Sequence, residues 1–365
     1  MVKSHRSGRM LTAAALAVAG LVLGACSSAG DGGSSTSAND SQQTSSSAAA
    51  TASSESAGSG SSSDSVKKIS LVYDWSGVDF EAVPLAVAKS EGMFAKVGID
   101  VDLILPPDDS TTVKLLGSGQ GDIGFATTAD VVITRGQGAD VVSIGNYSQA
   151  NNWGLIARPG EKIDLTQLKG KTIGVFADNW TQAMMPFVLK AAGLTESDVN
   201  QVIFDGDDVA PLLADKLDLT TNTTNFAVAQ VQEAVGKKPT VMLAKEFGAP
   251  DIPVWVYVAG QKWLDANGDT AKAFLSAIKD ATQWAIENPD AAVTDFEKVY
   301  PDNGSSHEYN LAGWQATAEV MTGPDGLLTQ RESQWSELTD ALTSIGALDK
   351  ADAPATYYTN DYLPK

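Results

Sequence analysis

The side chains of this chain that could grip a small molecule stand where apolar runs end. Asp74 and Trp75 follow residues 69–73. Asp108, Ser110, Thr111 and Thr112 follow a run closed by Pro106-Pro107, and Thr127, Thr128 and Asp130 follow residues 122–126. Asn151 and Asn152 precede Trp153, Asp178, Asn179 and Trp180 follow residues 172–176, and Asn222 and Asn225 lie just beyond Leu219. Hydroxyls and free N–H groups at a helix start hold ligand oxygens. An indole stacks on a planar ring, and a carboxamide serves a ring nitrogen and a neighbouring amino group together. The same residues have plainer duties, since a single hydroxyl or acid caps a helix and a tryptophan fills a core. They do not form a catalytic set. The two histidines are His5 and His307 and the one cysteine is Cys26, so the expectation is a binding protein and not an enzyme.

Apolar periodicity predicts the elements that carry these groups. Residues 69–73 form a strand, and Pro84 opens a helix with Leu85, Ala88 and Phe94 at core spacing. Gly92 and Gly98 end that helix. Residues 99–105 alternate β-branched and apolar side chains with acids as a second strand, stopped by Pro106-Pro107. Asp109-Ser110 opens another helix, and strands follow at 122–126 and 141–144. Strand–helix alternation at this spacing means a parallel sheet, with loops at the carboxyl ends of its strands free to hold a ligand. A second unit repeats the pattern with strands in 168–176, 200–204 and 241–243, a helix from Asp178 to Gly193 bent or restarted at Pro186, and a helix over 209–216. Residues 254–258 recross to the first unit. The remainder is helical, with Phe274, Ile278, Ala281 and Ala285 on one face and Trp335, Leu338, Leu342 and Ile345 on another, behind a Thr329–Glu332 capping box. The expected fold is therefore α/β with two lobes, each a central mostly parallel sheet flanked by helices. Lobe 1 is assigned residues 67–160 and 256–365 and lobe 2 residues 161–255, with hinge crossings near Pro159 and Pro250-Pro253.

The chain of 365 residues opens on something other than fold. Lys3, Arg6 and Arg9 precede an apolar run over 10–23, and Leu23-Gly24-Ala25-Cys26 follows. This is the charged, apolar and small-residue order of an export signal, too short for a stable membrane span. Cys26 after Leu-Gly-Ala resembles the lipobox of bacterial lipoproteins. The resemblance implies that residues 1–25 are a signal peptide and that acylated Cys26 anchors the protein on the extracytoplasmic face of the cell membrane. Residues 26–66 are rich in Ser, Ala, Thr and Gly and form a flexible tether. Residues 1–25 hold three positive charges and no acid, so the net charge of −20 becomes about −23 in the mature chain. That excludes nucleic acid as a partner and an electrostatic grip on anionic lipid. Asp205, Asp207 and Asp208 lack the later ligands of a calcium loop and suit a turn plus cap, so neither metal nor cofactor is expected.

Several segments resemble a known family in the right order. Lys89-Ser-Glu-Gly-Met-Phe94 with Gly98-Ile-Asp-Val101 resembles the "AKEKGYFKEEGLDVE" segment of solute-binding proteins of ABC importers. Leu116-Gly-Ser-Gly-Gln-Gly-Asp-Ile-Gly124 resembles their "L-x-S-G-x-x-D-x-G", Leu168-Lys-Gly-Lys-Thr-Ile-Gly-Val175 their "DLKGKTIGV", and Tyr358-Thr-Asn-Asp-Tyr-Leu-Pro364 their usual ending. The branch is the type 2 periplasmic binding proteins for alkanesulfonates, nitrate, aromatics and thiamine pyrimidines. Asp74-Trp75 and Pro106-Pro107-Asp108-Asp109-Ser110-Thr111-Thr112 most resemble the thiamine-pyrimidine-precursor group, with its "LDWTPN" and "PPEDSTT". Two departures stand out. Trp75-Ser76-Gly77-Val78 replaces Trp-Thr-Pro-Asn, losing an amide, and residues 217–227 lack the acid of the group's "VDAG…N-x-E".

The resemblance implies a solute-binding lipoprotein that captures a small planar heteroaromatic ligand between its lobes and hands it to an ABC permease with a cytoplasmic ATPase. Such a protein acts as a monomer. Relatives of the fold that make pyrimidine use His and a Cys-rich segment, which this chain lacks. Alternatives are a binder of alkanesulfonate, nitrate or an aromatic acid, a receptor without a transporter, and an enzyme of the same fold. Asp74, Asp108, Asp109, Asp130 and Asp178 crowd the junctions while Lys and Arg are absent from them. Acids there disfavour an anion and favour an N–H donor such as an aminopyrimidine.

Overall fold

The computed structural model describes residues 66–107, 111–204 and 206–365. The export signal, Cys26, nearly all of the tether, Asp108, Asp109, Ser110 and Asp205 lie outside the described residues. The chain runs through β1 (Lys67–Val72), α1 (Val83–Ser90), α2 (Met93–Lys96), β2 (Ile99–Ile104), α3 (Thr112–Gly117), β3 (Ile123–Thr127), α4 (Thr128–Gly136) and β4 (Val141–Asn146). β1 lies parallel between β2 and β3, with Lys67 opposite Ile99 and Leu71 opposite Ile123. β3 and β4 are buried along their whole length, as strands covered on both faces must be. Pro84 sits in the first turn of α1, where its missing N–H costs nothing. Gly92, at φ 68°, turns the chain out of that helix in a conformation that a Cβ would strain.

A second sheet follows, with β5 (Trp153–Ala157), β6 (Thr172–Phe176), α5 (Asn179–Ala192), β7 (Asn200–Phe204), α6 (Val209–Leu213), β8 (Leu219–Thr223), α7 (Thr224–Val235) and β9 (Thr240–Leu243). Its order is β7-β6-β8-β5-β9. β10 (Trp255–Gly260) then returns to the first sheet, whose order is β2-β1-β3-β10-β4, and runs antiparallel to both β3 and β4. Four longer helices close the chain: α8 (Gln261–Glu287), α9 (Pro289–Val299), α10 (His307–Met321) and α11 (Glu332–Ser344). Alternate residues of β10 serve different cores, as strand geometry requires. Tyr257 and Ala259 join α1, α8, α9 and α10 in one apolar cluster that holds Phe274, Ile278, Ala281 and Ala285. Val256 and Val258 face a second cluster that reaches the other sheet through Trp153, α5 through Trp180 and α11 through Trp335.

Three local expectations change. β5, assigned above to lobe 1, pairs antiparallel with β8 and β9 in the second sheet. The crossings are therefore the stretches 147–152 and 248–254, and the first is not near Pro159. β5 is buried at every position, so its apolar run fits either sheet and periodicity cannot assign it. Pro186 stays inside α5 and does not restart it, so one helix runs to a left-handed Gly193. The start of α11 is closed by Gln334, whose Oε1 accepts from the Arg331 N–H at 3.0 Å. Thr329 instead donates to the Asp325 carbonyl at 3.0 Å.

Gly154 shows how tightly β5 is seated. A Cβ there would lie 2.3 Å from the Met242 carbonyl oxygen on β9. Gly154→Ala should lower stability to urea by about 2–4 kcal/mol, whereas Gly77→Ala, with nothing within 4 Å of its added Cβ, should change it by less than about 0.5 kcal/mol. Equal unfolding midpoints for the two variants would refute the tight seating of β5.

Candidate ligand-binding site

Where the carboxyl end of β1 meets the second unit, rings from both units gather around Trp75. Tyr73, Phe125, Phe226 and Trp255 stand at centroid distances of 4.5, 5.8, 6.0 and 5.2 Å from it, all tilted or edge-on. Phe226 comes from α7, beyond the crossing, and Trp255 opens β10. Phe125 stacks on Trp255 at 5.2 Å and on Tyr73 at 5.3 Å. Edge-to-face and offset contacts of this kind suit the ring quadrupoles.

Two carboxyls border the rings. Asp79 accepts from the Trp75 indole N–H at 2.7 Å, from the Tyr73 hydroxyl at 3.1 Å and from the Glu81 N–H at 2.9 Å. Burial drives its carboxyl up to about 7, although these three donors oppose the shift. Glu81 is only 2% exposed, and burial followed by the charge of Asp79 pushes it well above the usual carboxylate range. Its Oε1 accepts from Asn225 Nδ2 at 2.5 Å, and Asn225 also donates to Thr317 at 3.0 Å. Asn152 Nδ2 in turn donates to Asn225 Oδ1 at 3.1 Å. A hydrogen-bonded chain thus runs from Glu81 in the first unit to the crossing and α7. Asn151, Asn152 and Thr224 also line a cavity of ≈ 460 Å³ bounded by α7, α10 and the turn after β9, within the range of about 300–1,000 Å³ usual for small ligands.

A second contact joins the sheets at the starts of α4 and α5. Thr127 caps α4 by accepting from the Asp130 N–H at 3.0 Å, and its own hydroxyl donates back to the Asp130 carboxylate. Asn179 Nδ2 donates to Asp130 Oδ1 at 2.6 Å. Burial raises Asp130 to about 6, against the donations of Thr127 and Asn179.

Of the residues singled out in the sequence, the structure brings Trp75, Asn152 and Asn225 together in the first cluster and Thr127, Asp130 and Asn179 in the second. Asp178 caps α5 by accepting from the Thr181 N–H at 2.7 Å, and the buried Trp180 belongs to the core beneath. Asp74 is buried at the end of β1, and Thr111 stands at the N-cap of α3. The Thr112 hydroxyl donates to the Tyr73 carbonyl. Thr128 and Asn151 bind the crossings together, donating to the Pro253 carbonyl at 2.7 Å and the Pro250 carbonyl at 3.0 Å. Asn222 turns back into the second sheet, donating to Asp208 at 3.4 Å. Asp108 and Ser110 lie outside the described residues. Sequence reasoning missed Asp79, Glu81, Phe226 and Trp255. One signal was present: Glu81 interrupts an apolar run from Phe80 to Ala88, the mark of an acid carried into a core.

Two mixed sheets flanked by helices make this a type 2 periplasmic binding protein fold. The periplasmic aliphatic sulphonate binding protein of Escherichia coli superposes with a TM-score of 0.61 at 15% identity, covering 80% of this chain and 91% of that one. The periplasmic nitrate-binding protein of Synechocystis PCC 6803 does so with a TM-score of 0.59 at 16% identity, over 81% and 87%. Residues 79–292 match the family described as NMT1/THI5 like, and the chain belongs to that family. A relative in Aspergillus parasiticus, 24% identical over 82% of this chain and 88% of its own length, is named 4-amino-5-hydroxymethyl-2-methylpyrimidine phosphate synthase. That finding overturns the expectation that the chain is not an enzyme. Scarcity of His and Cys argued only against chemistry that uses those side chains, and it left buried carboxyls such as Asp79 and Glu81 out of account.

Because burial raises Asp130 from 3.8 to about 6, folding favours its protonated form. The stability it adds is full below the unfolded value near pH 4 and is lost as the pH rises through about 6. Relative to wild type, Asp130→Asn should therefore gain about 2–3 kcal/mol between pH 4 and pH 7, measured by urea unfolding at each pH. A stability gap independent of pH would contradict this.

Proposed function

We propose that the chain is an extracytoplasmic solute-binding lipoprotein of an ABC importer. Its two lobes close on a small planar heteroaromatic ligand, a thiamine pyrimidine precursor or similar, and deliver it to a permease. The observation that carries this reading is the ring group around Trp75, to which both units contribute, bordered by the carboxamide of Asn225 and the carboxyls of Asp79 and Glu81. Aromatic faces favour a flat ring, and the acids favour a ligand that donates N–H groups over an anion. The lobes open and close at the crossings 147–152 and 248–254. The protein acts as a monomer held to the membrane through Cys26, and among the described residues no helix is long and apolar enough to cross a membrane.

A second reading, synthesis of a pyrimidine phosphate, is favoured by the name of the Aspergillus relative. A third, binding of sulphonate or nitrate, is favoured by the names of the two structural neighbours.

Titration with 4-amino-5-hydroxymethyl-2-methylpyrimidine distinguishes them. Binding should quench tryptophan fluorescence, and ligand at about 100 times its Kd should add about 2.7 kcal/mol to stability. Trp75→Ala should weaken affinity by about tenfold or more. No response to the pyrimidine, with a response to sulphonate or nitrate, would refute the proposal in favour of the anion binder. Accumulation of the pyrimidine phosphate beyond one equivalent per chain, in a cell extract that supplies phosphorylated precursors, would favour the synthase.

A further inference from the structure

Glu81 Oε2, Asn152 Oδ1 and Trp255 Nε1 are buried at the meeting of the two sheets and have no hydrogen-bond partner among the described residues. Asn225 links the first two residues, donating to Glu81 Oε1 and accepting from Asn152. Trp255 joins them through Trp75, whose ring it meets at 5.2 Å and whose indole donates to Asp79, two residues before Glu81. A buried polar atom without a partner is costly, and native structures keep few of them. These three lie where two lobes meet around aromatic rings, and they ask for a specific complement: N–H groups for two oxygens and a lone pair for the indole.

Building on the proposed pyrimidine-binding role, we infer that Glu81 is the specificity-determining residue of this site. Its free carboxyl oxygen accepts an N–H from an amino group on the ligand ring, and Asn152 Oδ1 takes a second. The site therefore selects amino-substituted azines over sulfonates and nitrate. A ring nitrogen beside the amino group supplies the acceptor that Trp255 Nε1 lacks. The titratable groups around Glu81 give an anion no attraction. Asp79 precedes it on the same turn, Tyr73 faces Asp79 from β1, and the hydroxyl of Tyr147 donates to the Glu81 carbonyl at 2.9 Å. Tyr257 from β10 feels the charge of Glu81, and Tyr309 from α10 that of Asp79. Each of these is an acid or a phenol. The donation from Asn225 already opposes the upward push of burial on Glu81, and a ligand N–H on Oε2 would act in the same sense and favour the carboxylate.

The test is calorimetric titration of the full chain and of Glu81→Leu and Glu81→Gln with 4-amino-2-methylpyrimidine, 2-methylpyrimidine and methanesulfonate. Wild type should prefer the amino compound by about tenfold or more and bind no methanesulfonate. The preference should fall to within about threefold in Glu81→Leu and lie between in Glu81→Gln, which keeps one acceptor oxygen. If circular dichroism shows that Glu81→Leu does not fold, the Gln variant decides, and a wild-type preference there overturns the assignment. Preference unchanged in both variants overturns the role of Glu81 and leaves the pyrimidine reading standing. Failure of both pyrimidines to bind wild type overturns that reading and this inference with it, and tight binding of methanesulfonate by wild type overturns the selectivity.

Discussion

Burying an acid without a cation is the constraint around which the centre of this protein is arranged. Glu81 enters the core on a short turn between β1 and α1, carried there by the apolar residues on either side of it. Among the described residues no Lys or Arg pairs with it, so neutralisation and hydrogen bonding must make it tolerable. With no ligand on Oε2, neutralisation comes from the upward push of burial itself. Hydrogen bonding comes from Asn225, which belongs to α7 of the other unit. The first unit thus depends on the second for the partner of a deeply buried acid. Asp130 repeats the arrangement with Asn179, so an amide of the second unit reaches a carboxyl of the first at two places.

The crossings that let the sheets meet are themselves cross-linked. Ser148 Oγ accepts from the N–H groups of Val254 and Trp255 at 3.0 and 3.2 Å. Asp251 accepts from the Asn151 N–H at 3.0 Å, and Asn151 donates to the Pro250 carbonyl. The two connecting segments therefore behave as a paired strap rather than as two independent strings. Several polar residues that a sequence reader would send to a ligand are spent on this strap, with Asn151 and Thr128 the clearest cases.

Much of the fold was legible because it rests on local signals. The alternation from β1 to β4, the stop at Pro106-Pro107, the Asp178 cap of α5 and the buried face of α8 all follow from periodicity and capping. What stayed hidden was non-local. β5 carries an apolar run that suits either sheet, and only its pairing with β8 and β9 assigns it. The cap of α11 depended on whether Thr329 or Gln334 reached a free backbone group, and neighbours in space decide that. Trp75, Asn152 and Asn225 could be picked out because they sit where strands end. Glu81 and Asp79 stood on an unremarked turn, and Phe226 and Trp255 read as ordinary core aromatics, so the wall of the site was invisible until the chain was folded.

The place of β10 bears on how the protein comes into being. It is the fourth strand across the first sheet and lies between β3 and β4, which precede it by more than a hundred residues of chain. Until the whole second unit has been made, β3 and β4 have no strand to join them. A nascent chain emerging from a ribosome or a translocation pore would hold its first half open until Gly260 appears, a long-range closure of the kind that slows folding and exposes unpaired strand edges. Splitting the gene between the two sheets would accordingly not yield two proteins, because neither fragment would contain a complete first sheet.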